Sequence, residues 1–210
     1  MLDYLESLYT NLKNENGDIN EHLETLKNLA SECDTVIEFG VRWMVSIFAF
    51  AVSNCKNIYA YDIHHPAGYN GYKYQQLESY CKKYNKKFEF NQIDVLELET
   101  IPECDLLFLD TIASYLQCTS ELNLFSNKVK KYLVIHDTTL NAERDEMSIS
   151  REDWFKKYME NQKIKSIINP TDDSVGLNKA IDNFLKSNKN WKLYRKYEHN
   201  NGLTILKRIN

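Results

Sequence analysis

The chain has few of the residues that mark flexible linkers. Only 6 Gly and 3 Pro occur in its 210 residues, and no stretch rich in Gly, Pro or Ser separates one apolar segment from the next. We therefore expect one domain over residues 1–210, which begins with a helical segment at 1–31. A chain of this length can bury a sizeable core.

The cysteine pattern argues against two kinds of stabilising site. The 5 Cys are odd in number, far apart and never spaced C-x-x-C, which suits neither a disulfide framework nor a zinc site. We expect reduced thiols, several of them buried. The N-terminal stretch is acidic and amphipathic, and no window approaches 18 uncharged apolar residues. This pattern predicts neither a secretory signal nor a membrane span, and we expect a cytoplasmic protein.

Positive charge is neither abundant nor concentrated. The formal net charge is −4, and basic residues such as those of CKKYNKKFEF (81–90) are interleaved with acids and aromatic residues. A basic stripe is the electrostatic signature of nucleic-acid binding. We therefore predict no nucleic-acid partner and no membrane partner.

Helix-like and strand-like patterns alternate along the chain. Apolar residues at Ile19, Leu23, Leu26 and Leu29 share one helix face, and helical patterns separate five short apolar runs. The runs are too short for spanning helices and are rich in β-branched and aromatic residues, as strands are. They cover residues 35–39, 57–62, 87–94, 105–110 and 131–137. Repeated β-α-β units with nearly continuous apolar strands predict a parallel sheet with helices on both faces.

The C-terminal region departs from this alternation. A helical pattern at 173–188 is followed by two strand-like runs, 191–198 and 203–208, which the turn sequence HNNG joins as a hairpin. The predicted fold class is therefore α/β: a single Rossmann-like, doubly wound sheet, mostly parallel, with a C-terminal antiparallel hairpin.

Acidic residues follow the predicted parallel strands where each of them ends. They are Glu38, Asp62, Asp94, Asp110 and Asp137, the last preceded by His136. Each acid alone can be a loop residue or a helix N-cap. In an open α/β sheet, however, ligands bind at this edge. A ligand surrounded by so many carboxylates is expected to be cationic, rich in hydroxyls or accompanied by a metal ion.

The first strand runs into a loop that has lost most of the expected glycines. In DTVIEFGVRWMVSIFAFA (34–51), Gly40 supplies a tight turn, but Arg42 and Val45 stand where a dinucleotide-binding loop has its second and third glycines. A pyrophosphate needs those glycines for close backbone approach. S-adenosylmethionine carries no phosphate, and its positive charge suits nearby acids. Asp62 would then accept hydrogen bonds from both ribose hydroxyls.

Four segments, in chain order, resemble one enzyme family: VIEFGVRWMVSIFAFA, FLDTIASYLQCTSELNLF, KYLVIHDT and the stretch 176–208. They are similar to the class I S-adenosylmethionine-dependent methyltransferases, and most of all to the cephalosporin hydroxylase-like and metal-dependent sugar O-methyltransferase branch. The resemblance covers residues 19–208. It implies a methyltransferase that modifies glycans or natural products.

The resemblance also implies roles for the residues at the strand ends. Glu38 and Gly40 would hold the methionine part of the cofactor, Asp62 the ribose, and Ile93, Asp94 and Val95 the adenine side, with Asp110 next to the cofactor. Arg42 would pair with Glu38 or with the carboxylate of the cofactor; a surface salt bridge is the alternative.

Metal-dependent members of the family suggest a divalent ion between Asp110 and Asp137. Oxygen ligands favour Mg²⁺, and such an ion lowers the pKa of an acceptor hydroxyl. His136 has three possible roles: a third ligand, which would suit Mn²⁺ or Fe²⁺; the general base; or a strand-end histidine bonded to backbone.

One departure affects the catalytic prediction. Where relatives commonly have D-T-x-H-x-Y, this chain has DTIASY, so Ala113 stands at the histidine position. Either His136, His64 or His65 serves that step, or the step is absent. We therefore expect an O-methyltransferase for a sugar or another small polyhydroxylated acceptor. The alternatives are a catalytically silent S-adenosylmethionine-binding protein and, more remotely, an NAD-dependent oxidoreductase.

Two further segments are expected at the ligand edge. Residues 138–173 are long and polar, and we predict a lid that excludes water or, alternatively, a contact in a homo-oligomer. The stretch HHPAGYNGY (64–72) follows the second strand. Its tyrosines would stack on a sugar or serve as ordinary core or surface residues.

Overall fold

A seven-stranded sheet organises the protein. The computed structural model describes residues 3–144, 146 and 175–209. The strands lie in the order β3-β2-β1-β4-β5-β7-β6. Their bounds are β1 Thr35–Phe39, β2 Asn57–Asp62, β3 Lys87–Gln92, β4 Cys104–Leu109, β5 Val129–His136, β6 Trp191–Tyr197 and β7 Leu203–Arg208.

Six α-helices are present in the described residues, and they connect the parallel strands except between β3 and β4. They are α1 Tyr4–Asn14, α2 Leu23–Ser31, α3 Ser46–Ala51, α4 Ala67–Lys83, α5 Tyr115–Phe125 and α6 Leu177–Ser187. Two short 3₁₀ turns also occur: Asn20–His22 directly precedes α2, and Val95–Glu97 lies between β3 and β4. In the second, the helix predicted before β4 does not form.

Strand directions confirm the predicted fold class. Strands β1 to β5 pair in parallel, whereas β7 pairs antiparallel to both β5 and β6. The order changes direction at β1, which lies between β2 and β4. Such a switch point opens a crevice at the carboxyl ends of the strands, and the candidate site lies there.

The core consists of two apolar layers, one on each face of the sheet. Alternate residues of β1 point to opposite layers, with Val36 packed among residues of α1 to α4 and Ile37 packed among residues of α5 and α6. Both layers are fully buried at the central strands, which explains their nearly continuous apolar sequence. All five cysteines are buried free thiols, as expected for a chain with no disulfide framework.

Within the described ranges, no helix is both long and apolar enough to cross a membrane. The predicted lid, 138–173, lies mostly outside those ranges, which include only 138–144 and 146 of it.

Gly40 allows the ends of β1 and β4 to meet. Its φ is +83°, and a Cβ added there would lie 2.1 Å from the carbonyl oxygen of Asp110. The neighbouring backbone is tied on both sides: Gly40 N donates to Tyr61 O at 2.9 Å, and Asp110 N donates to Phe39 O at 2.9 Å. No side chain fits at this position.

We therefore expect Gly40→Ala to lower the free energy of unfolding by at least about 2 kcal/mol, since it combines left-handed backbone strain with a backbone clash. Gly71→Ala in α4 is the matched control, because a Cβ at Gly71 meets nothing within 4 Å. The control should raise stability by up to about 1 kcal/mol. Urea unfolding measures both, and equal stabilities of the two variants would contradict the close approach.

Candidate functional site

A cavity of about 430 Å³ opens at the carboxyl ends of the parallel strands. Its volume falls in the range of about 300–1,000 Å³ that is typical of small-molecule and cofactor sites. Residues from the loops after β1, β2, β3, β4 and β5 line it, together with Asp18 and Ile19 from the N-terminal segment. Of the residues predicted for the site, the lining includes Gly40, Arg42, Asp62, Ile93, Asp94, Val95, Asp110 and Asp137.

The loop after β1 follows a glycine-like path with few glycines. Arg42 and Met44 have φ values of +39° and +58°, in addition to Gly40. The sequence predicted that the lost glycine positions were 42 and 45. The structure confirms a left-handed residue at 42 but places the next one at Met44, because α3 begins at Ser46 and Val45 already has helical dihedrals.

Asp62 fastens this loop to the end of β2. Its Oδ2 accepts hydrogen bonds from Val41 N at 2.8 Å and Arg42 N at 2.9 Å, and its Oδ1 accepts one from His64 N at 2.8 Å. A carboxylate has about four acceptor positions. Asp62 therefore has one position left in this arrangement, rather than the two needed for both ribose hydroxyls.

Glu38 lies beneath the cavity rather than in its wall. The residue is fully buried, and its Oε1 accepts a short hydrogen bond from Ser46 Oγ. Its Oε2 has no hydrogen-bond partner among the described residues, so the alternative pairing with Arg42 does not occur. Burial raises the pKa of Glu38 well above its usual range, and the nearby carboxylates of Asp110 and Asp62 add to this effect.

Ile93, Asp94 and Val95 form the wall of the cavity after β3. Asp94 Oδ1 accepts a hydrogen bond from Leu96 N at 3.0 Å, which caps the following 3₁₀ turn. Asp94 therefore acts as an N-cap, the alternative role given above for a single acid at a strand end. It also lines the cavity.

Asp110, His136 and Asp137 come together at the ends of β4 and β5. One ligand atom from each lies within 4.8 Å of the others. His136 Nδ1 is 2.9 Å from Asp110 Oδ1 and 3.5 Å from Asp137 Oδ1. Asp137 has a φ of +58°, and its buried Oδ1 has no hydrogen-bond partner in the described part of the chain.

His136 is held between acceptors on both ring nitrogens. Its Nδ1 faces Asp110, and its Nε2 donates to the carbonyl oxygen of Asp18 at 3.1 Å. Because both ring nitrogens face acceptors, this arrangement favours the doubly protonated ring. Burial lowers the pKa of His136, but the carboxylates of Asp110 and Asp137 outweigh burial and raise it to about 9. Burial raises the pKa of Asp137 to about 6, against the opposing effect of His136.

No family model and no curated protein sequence matches the chain. Its fold, however, matches several solved structures of methyltransferases. The O-methyltransferase TomG from Streptomyces achromogenes, in complex with S-adenosylmethionine, gives a TM-score of 0.57 at 9% identity, over 100% of this chain and 92% of TomG. A putative caffeoyl-CoA O-methyltransferase from Staphylococcus aureus gives 0.56 at 14% identity, over 97% and 98% of the two chains.

A third match is the N-methyltransferase NodS from Bradyrhizobium japonicum, bound to S-adenosylhomocysteine. It gives a TM-score of 0.53 at 13% identity and covers 100% of both chains. This chain has the class I methyltransferase fold. At such low identity, the likeness confirms the fold and leaves substrate and chemistry to the site itself.

The N-terminal segment forms a wall of the cavity that sequence reasoning missed. Glu21 N donates to Asn200 Oδ1 at 3.1 Å, and His22 Nε2 donates to the carbonyl oxygen of Asn200 at 3.2 Å. These bonds tie the segment to the β6–β7 turn and bring Asp18 over His136. The contact spans more than 170 residues of chain, and no local pattern announces it.

The candidate histidines separate into two groups. His64 lines the cavity, whereas His65 packs against Tyr74 and Phe90, with ring centroids 4.8 Å apart in each case. The structure thus brings His64 and His136 to the site but not His65.

Glu146 lies next to Ala113, which stands where the sequence resemblance implied a histidine. Ala113 N donates to Glu146 Oε2 at 2.9 Å, and Glu146 N donates to Ala113 O at 3.0 Å. Ala113 is buried, and Glu146 lines the cavity. A carboxylate from outside the motif therefore lies beside Ala113, and no sequence pattern predicted it.

Glu121 is a second buried carboxyl group that the sequence did not indicate. Its Oε1 accepts hydrogen bonds from Thr111 Oγ1 at 2.7 Å and Gln117 Nε2 at 2.8 Å, and both donor residues line the cavity. Burial raises the pKa of Glu121 to about 7, although these two hydrogen bonds oppose the shift.

Because the pKa of Glu121 is higher in the folded than in the unfolded state, its neutral form favours folding at low pH, and this contribution is lost as the pH rises through about 7. We expect Glu121→Gln to gain stability relative to the wild type between pH 5 and pH 8, by up to about 3 kcal/mol. Urea unfolding at the two pH values tests this, with exposed Glu99→Gln as the control. A pH-independent difference would contradict the raised pKa.

Proposed function

We propose that the protein is an S-adenosylmethionine-dependent O-methyltransferase that acts, with a divalent metal ion, on a sugar or another small polyhydroxylated acceptor. One observation carries the proposal. A single cavity in a class I methyltransferase fold joins the loop fastened by Asp62 to the cluster of Asp110, His136 and Asp137. When bound, S-adenosylmethionine supplies a methyl group that its sulfonium already activates, so the enzyme needs mainly to align an oxygen and remove its proton.

The cavity residues fit the cofactor. Gly40 lines the cavity without a side chain, and Asp62 retains one acceptor position for a ribose hydroxyl. Ile93 and Val95 offer apolar contact to the adenine ring. Glu38 supports the loop from below through Ser46, so its predicted role towards the methionine part is indirect in this proposal.

Asp110, His136 and Asp137 fit a divalent ion in donor type and spacing. One ligand atom from each residue lies within 4.8 Å of the others, and an ion would replace the proton that His136 Nδ1 and Asp110 Oδ1 share at 2.9 Å. Asp137 Oδ1 accepts no hydrogen bond from the described residues and has His136 Nδ1 3.5 Å away, so it can still take a donor or a cation. A bound ion would supply a lowered pKa at the acceptor hydroxyl.

The two carboxylates suit Mg²⁺. The protonation state of His136 determines whether it can be a third ligand. To become a ligand, His136 must release the Nδ1 proton that it shares with Asp110, so its raised pKa weakens metal binding below about pH 9. If the two aspartates hold the ion alone, the imidazolium instead orients Asp110.

An acidic, aromatic cavity mouth supports a polyhydroxylated acceptor. Trp43 and Tyr69 line the cavity with 57% and 39% of their surfaces exposed, and their ring centroids are 4.6 Å apart. Exposed rings can stack on the apolar face of a sugar, while Asp18 and Glu146 can accept hydrogen bonds from its hydroxyls. This chemistry fits a small-molecule or glycan acceptor in glycan or natural-product modification.

The departure at Ala113 favours a second candidate, a catalytically silent S-adenosylmethionine-binding protein. We prefer the active enzyme because Glu146 presents a carboxylate to the cavity beside Ala113, and because His64 also lines the cavity. Both groups can take part in proton transfer.

Location and partners belong to the same proposal. The acidic net charge of −4 argues against nucleic acid, and the free buried cysteines suit the reducing cytoplasm. The proposal also keeps two expectations from the sequence: a homo-oligomer, and a lid within residues 138–173 that excludes water.

If Asp110 and Asp137 hold one ion, Asp110→Asn and Asp137→Asn should each abolish metal binding and metal-dependent methyl transfer. Affinity for S-adenosylhomocysteine should stay nearly intact, because that ligand binds mainly at the first three strands. Since the two residues act as a unit, the double variant should be scarcely worse than either single variant. Calorimetric titration with Mg²⁺ and Mn²⁺, together with methyl-transfer assays, measures these effects.

Exposed Asp182→Asn in α6 is the matched control and should behave as the wild type. If EDTA leaves turnover unchanged, or if the two defects multiply as for independent sites, the metal hypothesis is wrong and His136 in its deprotonated form becomes the leading base.

A further inference from the structure

Gln117 lies at the cavity in the first turn of α5. The N-cap residue Ser114 accepts a hydrogen bond from Gln117 N through its Oγ at 3.1 Å, which starts the helix. The Gln117 residue is only 2% exposed, yet it lines the cavity together with Thr111 and Ile112. The uncharged amide of Gln117 therefore lies in the part of the cavity next to the ends of β3 and β4.

Glu121 sets the orientation of this amide. Gln117 Nε2 and Thr111 Oγ1 both donate to Glu121 Oε1. The Gln117 amide thus turns its NH₂ group towards Glu121, at 2.8 Å, and its Oε1 away from it. The buried Oε1 of Gln117 is then left without a hydrogen-bond partner among the described residues. A buried acceptor of this kind is rare and calls for a donor.

The surroundings indicate what kind of donor fits. Ile93, Val95 and Ile112 line the same cavity and offer apolar contact to a flat ring. Asp94, the acid expected at this end, already uses Oδ1 to cap the turn that follows it. Apolar side chains beside an unpartnered acceptor suit a heterocycle that carries an amino group.

We propose that Gln117 Oε1 accepts a hydrogen bond from the exocyclic amino group of the adenine ring and thereby makes the site specific for adenine, with Glu121 as the positioning residue. The inference rests on the proposed use of S-adenosylmethionine. A base with a carbonyl oxygen in place of the amino group would bring two acceptors face to face, and sites built around a hydrogen bond reject such analogues strongly.

The test compares two ligands, S-adenosylhomocysteine and S-inosylhomocysteine, which carry an amino group and a carbonyl oxygen at that position. Calorimetric titration of the wild type should show a preference of roughly tenfold or more for the adenine compound. Gln117→Leu should reduce the preference by roughly tenfold, whereas exposed Gln75→Leu in α4 should leave it unchanged. Gln117→Met is the second variant if Gln117→Leu does not fold.

Glu121 is tested by the same affinity ratio. Glu121→Leu frees the amide of Gln117 to turn over and should lower the preference, while Glu121→Gln still offers an oxygen to the NH₂ group and should keep it. A merely structural role would weaken both ligands equally and leave the ratio unchanged.

Each outcome decides the inference. A wild type that binds both ligands equally, or a Gln117 variant that retains the full preference, overturns it while leaving the proposed cofactor intact. If the wild type binds neither ligand, the proposed function fails and the inference fails with it.

Discussion

The carboxylate of Asp62 holds together the loop on which the rest of the candidate site depends. Backbone amides of Val41 and Arg42 converge on one of its oxygens, and this keeps the chain on a left-handed path through Arg42 and Met44. Gly40 makes the path possible, because a side chain there would collide with the backbone of Asp110 at the end of β4. The same close approach brings Asp110 beside the loop, so both line one cavity.

This arrangement explains how the loop after β1 can lack the second and third glycines of a dinucleotide-binding loop. A phosphate would need exposed backbone amides, but here Asp62 occupies two of them. A ligand without phosphate loses nothing by that occupation. The strain of left-handed Arg42 and Met44 is offset by hydrogen bonds to a charged acceptor, which are stronger than neutral ones.

Most of the fold could be predicted from local sequence patterns. Strands β1 and β2 begin and end where their apolar runs do, because central parallel strands are buried on both faces and leave an unbroken apolar signal. The hairpin of β6 and β7 follows from its turn residues. The 3₁₀ turn Val95–Glu97 was harder to predict, because this turn, which the side chain of Asp94 caps, is too short to show helical periodicity.

The site was predictable only where strand ends determine it, as for Asp62, Asp110 and Asp137. Glu38 ends a strand too, but its side chain points beneath the loop to Ser46, which no pattern reveals. Gln117 and Glu146 reach the cavity through tertiary contacts.

The central claim is that this cavity binds S-adenosylmethionine. Calorimetric titration of the wild type with S-adenosylhomocysteine and NAD, with and without Mg²⁺, tests it most directly: we expect one S-adenosylhomocysteine per chain and no NAD, whereas a preference for NAD would contradict the account.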